Sequence, residues 1–134
     1  MKSIKIALVD DDQVFHFIVN RSLINLYPDS KLLSFSNCAD FFNFLKRNLD
    51  DTSLIPDIIL LDLNTPFMSG WEFLDCYEAI EGNLMKRPEI YLISSSIDPQ
   101  DVEKAQYFNS VSAFYSKPLA PEQLLEIIEK AAVK

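Results

Sequence analysis

Four groups of polar residues interrupt an otherwise apolar pattern. Asp10, Asp11 and Asp12 follow the run Ile4–Val9, and Asp62 follows the run 58–61. Ser94, Ser95 and Ser96 follow 90–93, and Lys117 comes just after 111–115. Carboxylates gathered in one cleft repel: two unit charges about 4 Å apart cost about 4 kcal/mol at an effective dielectric of about 20. Such a cluster is stable only when protons or a cation relieve it. Oxygen donors without histidine or cysteine favour a hard ion, and a few carboxylates completed by water favour Mg²⁺. Lys117 adds a fixed positive charge and Ser94 a hydroxyl. A carboxylate nucleophile, a metal, a cation and a hydroxyl are the parts needed to place a phosphoryl group on Asp62.

Each group alone has a plainer explanation. An Asp run after a strand also serves as a helix N-terminus, where acids complement the dipole. A lone Asp at a strand end is commonly a turn residue, a serine run a loop, and Lys-Pro is uninformative. Their order and spacing together carry the assignment.

The elements that must position these residues are short apolar runs alternating with stretches of helical period. The runs are Ile4–Val9, 32–35, 58–61, 90–93 and, more weakly, 111–115. The third is continuously apolar between Asp57 and Asp62, which suits a parallel strand covered on both faces. Residues 13–26 place Val14, Phe17, Ile18 and Ile24 at helical offsets, and 39–49 do so with Phe41, Phe42, Leu45 and Leu49. A last helix near 121–133 puts Leu124, Ile128 and Ala131 or Ala132 on one stripe. Pro121 suits its first turn, and Lys130 and Lys134 suit the end of its dipole. Asp98-Pro99 reads as another helix start. Strand then helix, five times over, predicts a doubly wound α/β sheet. In such a sheet the carboxyl edge binds ligands where strand order reverses. If strands one and three are neighbours, Asp10, Asp11 and Asp62 converge there. The second strand ends at Ser36-Asn37 with nothing charged, as expected of an edge.

The 134 residues are 49% hydrophobic and 24% charged, with twelve basic against twenty acidic side chains and a net charge of −8. This length suits one domain with one core. The acidity argues against a nucleic-acid or anionic-membrane surface, which needs clustered Lys and Arg. The start of the chain has no signal-like apolar stretch, and no window reaches the roughly 18 apolar residues of a membrane-spanning helix. The expected location is the cytoplasm, with Cys38 and Cys76 as reduced, partly buried thiols. His16 is the only histidine, so histidine-rich metal sites and Ser-His-Asp chemistry have little to work with.

The stretches Ile6-Ala7-Leu8-Val9-Asp10-Asp11-Asp12, Ile59-Leu60-Leu61-Asp62-Leu63-Asn64-Thr65-Pro66 with Gly70 downstream, Leu92-Ile93-Ser94-Ser95 and Ser116-Lys117-Pro118 resemble the response-regulator receiver domain of two-component signalling. The resemblance is to the single-domain, chemotaxis-regulator-like type, and the match spans essentially the whole chain. The resemblance implies a flavodoxin-like, five-stranded parallel sheet in order 2-1-3-4-5 with five helices. It implies one receiver domain over residues 1–134 without an attached effector domain. By position, Asp62 is the phosphoacceptor, Asp11 a direct Mg²⁺ ligand, Asp10 its partner through water, and Asn64 a ligand through its backbone carbonyl. Ser94 takes the switch-hydroxyl position, Phe114 the aromatic-switch position often held by Tyr, and Lys117 pairs with the phosphoryl group. The Lys117-Pro118 bond is cis in this family. Asn64 and Ser96 occupy positions that tune dephosphorylation.

Some positions depart from the family pattern. Thr65 stands where Met is frequent, with little consequence expected. Ser94 replaces Thr, the glycine usual before the fifth strand is absent from residues 108–112, and the Ser94-to-Lys117 interval is one residue longer than the family's. The implied partners are a sensor histidine kinase or histidine phosphotransfer protein as donor and an unknown downstream protein target. The output surface would be the fourth helix, fifth strand and fifth helix, around Tyr107, Phe108, Tyr115 and Leu119. On this reading the chain is no enzyme beyond its own phosphoryl transfer and dephosphorylation. Trp71, in the third helix, offers a fluorescence reporter of metal binding. Two other readings stay open. Asp62-Leu63-Asn64-Thr65 is similar to the Asp-x-Asp-x-Thr loop of haloacid-dehalogenase-type phosphatases, although that loop follows a first strand and its second acid is Asn here. The other is a receiver-like interaction module that is never phosphorylated.

Overall fold

A computed structural model of the chain describes residues 3–95 and 98–133. Ser96 and Lys134, both singled out above, lie outside the described residues. Five strands, β1 (Ile4–Val9), β2 (Ser30–Phe35), β3 (Ile58–Asp62), β4 (Glu89–Ser94) and β5 (Val111–Ser116), alternate with five helices. The helices are α1 (Gln13–Leu26), α2 (Cys38–Arg47), α3 (Gly70–Ile80), α4 (Pro99–Ala105) and α5 (Pro121–Val133). All strand pairings are parallel, and the order is β2-β1-β3-β4-β5. Each apolar run became a strand, extended by one or two residues at its ends in all but the first. The expected flavodoxin-like, doubly wound sheet is the one observed.

Alternation along the central strands divides the core in two. Ala7, Val9, Ile59, Leu61, Ile90 and Leu92 face α2, α3 and α4 through Phe41, Leu45, Phe73, Leu74 and Ala105. Ile6, Leu8, Ile58, Leu60 and Ile93 face α1 and α5 through Phe15, Val19, Leu23, Leu124, Ile127 and Ile128. Strand β3, entirely buried, is the centre of both layers. Helix starts follow local side-chain chemistry. Asp12 caps α1 by accepting from the Val14 and Phe15 amides, and Asn37 caps α2. Ser69 and Glu72 form a reciprocal capping box on α3, and Asp98 precedes Pro99 at the start of α4.

One expectation about α1 is overturned. Val14, Phe17, Ile18 and Ile24 lie on its outer face, 67%, 62%, 46% and 60% exposed. The inner stripe is Phe15, His16, Val19 and Leu23. The helix carries two apolar stripes, and the inner one keeps the i, i+4, i+8 spacing that meets the sheet. Leu119, expected on the output surface, is 8% exposed and packs with α1 and α5. The extra residue between Ser94 and Lys117 is absorbed at the start of β5. Ile90 pairs with Val111 but Tyr91 pairs with Ala113, so Ser112 is an inserted bulge residue. Downstream the register recovers and Ser94 pairs with Ser116. Cys38 is fully buried rather than partly so, and both cysteines are free thiols. No helix among the described residues is long and apolar enough to cross a membrane.

Candidate functional site

The chain runs from β1 out to β2, then back across β1 to β3. A crevice is left at the carboxyl ends of β1 and β3, where strand order reverses. Asp10 continues beyond β1, its amide donating to the Phe35 carbonyl at 3.0 Å. Asp62 is the last residue of β3. Carboxylate oxygens of Asp10, Asp11 and Asp62 lie within 4.8 Å of one another, with Asp10 and Asp62 buried and Asp11 exposed. From the end of β5, Lys117 sends Nζ to 2.6 Å from Asp10 Oδ2 and 3.7 Å from Asp62 Oδ2. The same ammonium lies 4.9 Å from the centre of the Phe15 ring, which supports its charge from α1.

Three carboxylates and one ammonium leave the cleft net negative, and the charges respond. Burial raises the Asp62 pKa above the ordinary carboxylate value, and the Asp10 and Asp11 charges raise it further. The Asn64 amide, donating to Asp62 Oδ1 at 3.1 Å, and the Lys117 charge oppose that rise. Burial pulls the Lys117 amine down, but the hydrogen bond and charge of Asp10, with Asp62 and Asp12, outweigh it and hold the pKa above the usual lysine value. The donor set is all oxygen, clustered, and short of positive charge. It fits a hard divalent cation such as Mg²⁺ held by Asp10, Asp11 and Asp62.

The other expected site residues divide into near and far. Ser94 ends β4, is 1% exposed, and its carbonyl accepts the Lys117 amide at 2.8 Å. Hydroxyl and ammonium are thereby tied to adjacent strand ends. Asn64 is exposed at the rim, and the hydrogen bond its backbone N–H donates to Asp62 Oδ1 fixes its place. The Lys117-Pro118 bond is cis, as the resemblance implied. Phe114 stands apart, half-buried on β5 opposite Leu92, lining a groove of about 440 Å³ with Val102, Ala105, Phe108 and Val111. Of the residues named for the output surface, Tyr107 is exposed, whereas Phe108 stacks on Trp71 at 5.9 Å and Tyr115 tilts against Tyr91 at 6.0 Å. Trp71 also carries Lys104 Nζ 4.8 Å from its ring centre, so its contacts are with α4 and the segment after it.

Two residues matter more than the sequence indicated. Thr65 is buried, with Oγ1 2.7 Å from the Met68 carbonyl oxygen and 3.2 Å from Cys38 Sγ, so it ties the loop after Asp62 to the start of α2. His16 sits one helical turn after the capping Asp12 and reaches back to the Asp10 carbonyl. Its place at that spacing from the acidic triplet was the available signal.

Residues 6–129 match the model of the response regulator receiver domain family. The nitrate/nitrite response regulator protein NarL of Escherichia coli K12 is 32% identical over 127 residues, covering 95% of this chain and 54% of that protein. The transcriptional regulatory protein FlgR of Helicobacter pylori is 30% identical, covering 92% of this chain and 28% of that one. The chain thus spans about half or less of these curated relatives. A two-component response regulator from Cytophaga hutchinsonii superposes with a TM-score of 0.86 at 27% identity, covering 99% of this chain and 100% of that one.

Proposed function

The chain belongs to the response regulator receiver domain family, and from that premise we propose that it takes a phosphoryl group onto Asp62 from the phosphohistidine of a sensor histidine kinase or phosphotransfer protein. The observation that carries this reading is the convergence of the Asp62, Asp10 and Asp11 carboxylates with Lys117 beside them. An Asp62 carboxylate oxygen attacks phosphorus in line, forming an O–P bond as the P–N bond breaks and its electron pair returns to the donor imidazole. Lys117, already charged and held by Asp10, follows the transferring group with little reorganisation. Asp10, Asp11, Asp62 and the Asn64 backbone carbonyl would hold Mg²⁺, which would supply the remaining charge neutralisation. The Ser94 hydroxyl then donates to a phosphoryl oxygen, and Phe114 turns toward the space this vacates. Phe114 has no hydroxyl, so this switch works by packing alone.

The result is a population shift on the face formed by α4, β5 and α5, needing a few kcal/mol of differential stabilisation. There Tyr107 and the rim of the Phe114 groove meet a downstream protein. We read the domain as cytoplasmic, catalysing only its own phosphoryl transfer and loss, with neither nucleic acid nor membrane met by its own acidic surface. Intact-mass measurement after incubation with acetyl phosphate or phosphoramidate tests it. One added phosphoryl group is expected with Mg²⁺, and none with EDTA or in Asp62→Asn. A folded wild type that gains nothing, and that also fails to bind beryllofluoride, would support a phosphorylation-independent interaction module instead.

A further inference from the structure

The chain's single histidine is 7% exposed on the inner face of α1, with Nε2 2.7 Å from the carbonyl oxygen of Asp10. We infer that His16 is a positioning residue that aims the Asp10–Asp11 pair into the cleft through its Nε2 hydrogen bond to the Asp10 carbonyl. The inference deepens the proposed function, since it rests on those carboxylates holding a cation. A carbonyl only accepts, so Nε2 must carry the hydrogen. Nδ1 is buried and has no hydrogen-bond partner among the described residues.

The consequence falls on Asp11. Its preceding peptide is held by the His16 bond to the Asp10 carbonyl. Its following peptide is held by the Asp12 amide, which donates to Asp10 Oδ1 at 2.8 Å. Both backbone torsions of Asp11 are therefore fixed from outside, and the exposed carboxylate is aimed by backbone. His16 itself is anchored because its amide donates to the Asp12 carbonyl at 3.2 Å while the Asp12 side chain caps the helix. Residues 10–16 thus form a closed loop in which a side chain from the first turn of α1 secures the wall of the site. Partners of this kind, one bond removed from a metal ligand, typically govern 10- to 100-fold in metal affinity.

Two measurements on untagged protein test it. Long-range ¹H–¹⁵N correlation of the one imidazole, without Mg²⁺, should report hydrogen on Nε2; a ring with hydrogen on Nδ1 alone overturns the inference. Calorimetric Mg²⁺ titration of variants should separate reach from bulk. His16→Gln, whose amide nitrogen has the reach of Nε2, should stay within about threefold of wild type. His16→Leu and His16→Asn, lacking a donor at that reach, should weaken Mg²⁺ about tenfold or more. Affinity unchanged in a folded Leu or Asn variant overturns the inference alone. If Leu does not fold, the tautomer and the Gln–Asn contrast decide it. A wild type that binds no Mg²⁺ overturns the cation site and the inference with it.

Discussion

Asp62 has the chemistry of a group kept uncomfortable. Its raised pKa means that the folded chain binds this proton more tightly than the unfolded chain between the ordinary Asp value and the higher folded one. Stability therefore falls as pH rises through that window and stays reduced above it. Asp62→Asn keeps an oxygen for the Asn64 amide but removes the charge. Without Mg²⁺ it should be more stable than wild type at neutral pH, by about 1 kcal/mol, the scale of ordinary substitutions. The gain should vanish below the carboxylate range. Urea unfolding in EDTA at both pH values measures this, and a variant less stable at neutral pH would contradict it. The acidic residues and Lys117 were legible because charge at the end of an apolar run is conspicuous. Thr65 was not, since nothing in one sequence shows that its hydroxyl meets Met68 and Cys38. Nor was Phe67, which has φ 73° and is 90% exposed. A non-glycine residue in that region costs about 1–2 kcal/mol, and no local pattern announces it.

At the scale of elements, strands were easier to read than helix faces. A buried parallel strand is apolar throughout, so runs such as 58–61 declare themselves. α1 carries apolar residues on both faces, so periodicity finds the helix but picks the wrong stripe. The one-residue excess before Lys117 was visible as a count, but only pairing shows that Ser112 takes it up, with Ser116 still reaching Ser94. The turn from β3 into α3 depends on a glycine. A Cβ on Gly70 would meet the Leu63 Cα at 2.8 Å and the Asp62 carbonyl oxygen at 3.1 Å, whereas one on Gly82 meets nothing within 4 Å. Gly70→Ala should therefore cost roughly 1–3 kcal/mol, as overpacking against backbone does. Gly82→Ala should be neutral or stabilising by up to about 1 kcal/mol. Urea midpoints of the pair test the claim; equal midpoints would show that the loop after Asp62 yields freely.

The whole molecule gathers side chains from three strand ends into one cleft. β1 leads into Asp10 and Asp11, β3 ends with Asp62, and β5 leads into Lys117, because β3 crosses back beside β1 and β5 keeps its late register. Two apolar layers fix those ends, so the charged groups sit close without making the scaffold themselves. The order of elements and the convergence of the acids followed from the alternation of runs and from strand ends. The exposed stripe of α1, the buried Leu119 and the contacts of Trp71 did not, since each depends on which face of an element meets its neighbour. The proposed function turns on Asp62 as acceptor, and the most direct measurement is borohydride reduction of the phosphorylated protein followed by peptide mapping. An acyl phosphate is reduced to the alcohol, so homoserine is expected at position 62 and nowhere else. Homoserine at position 10 or 11, or a phosphoryl adduct that leaves Asp62 unreduced, would contradict it.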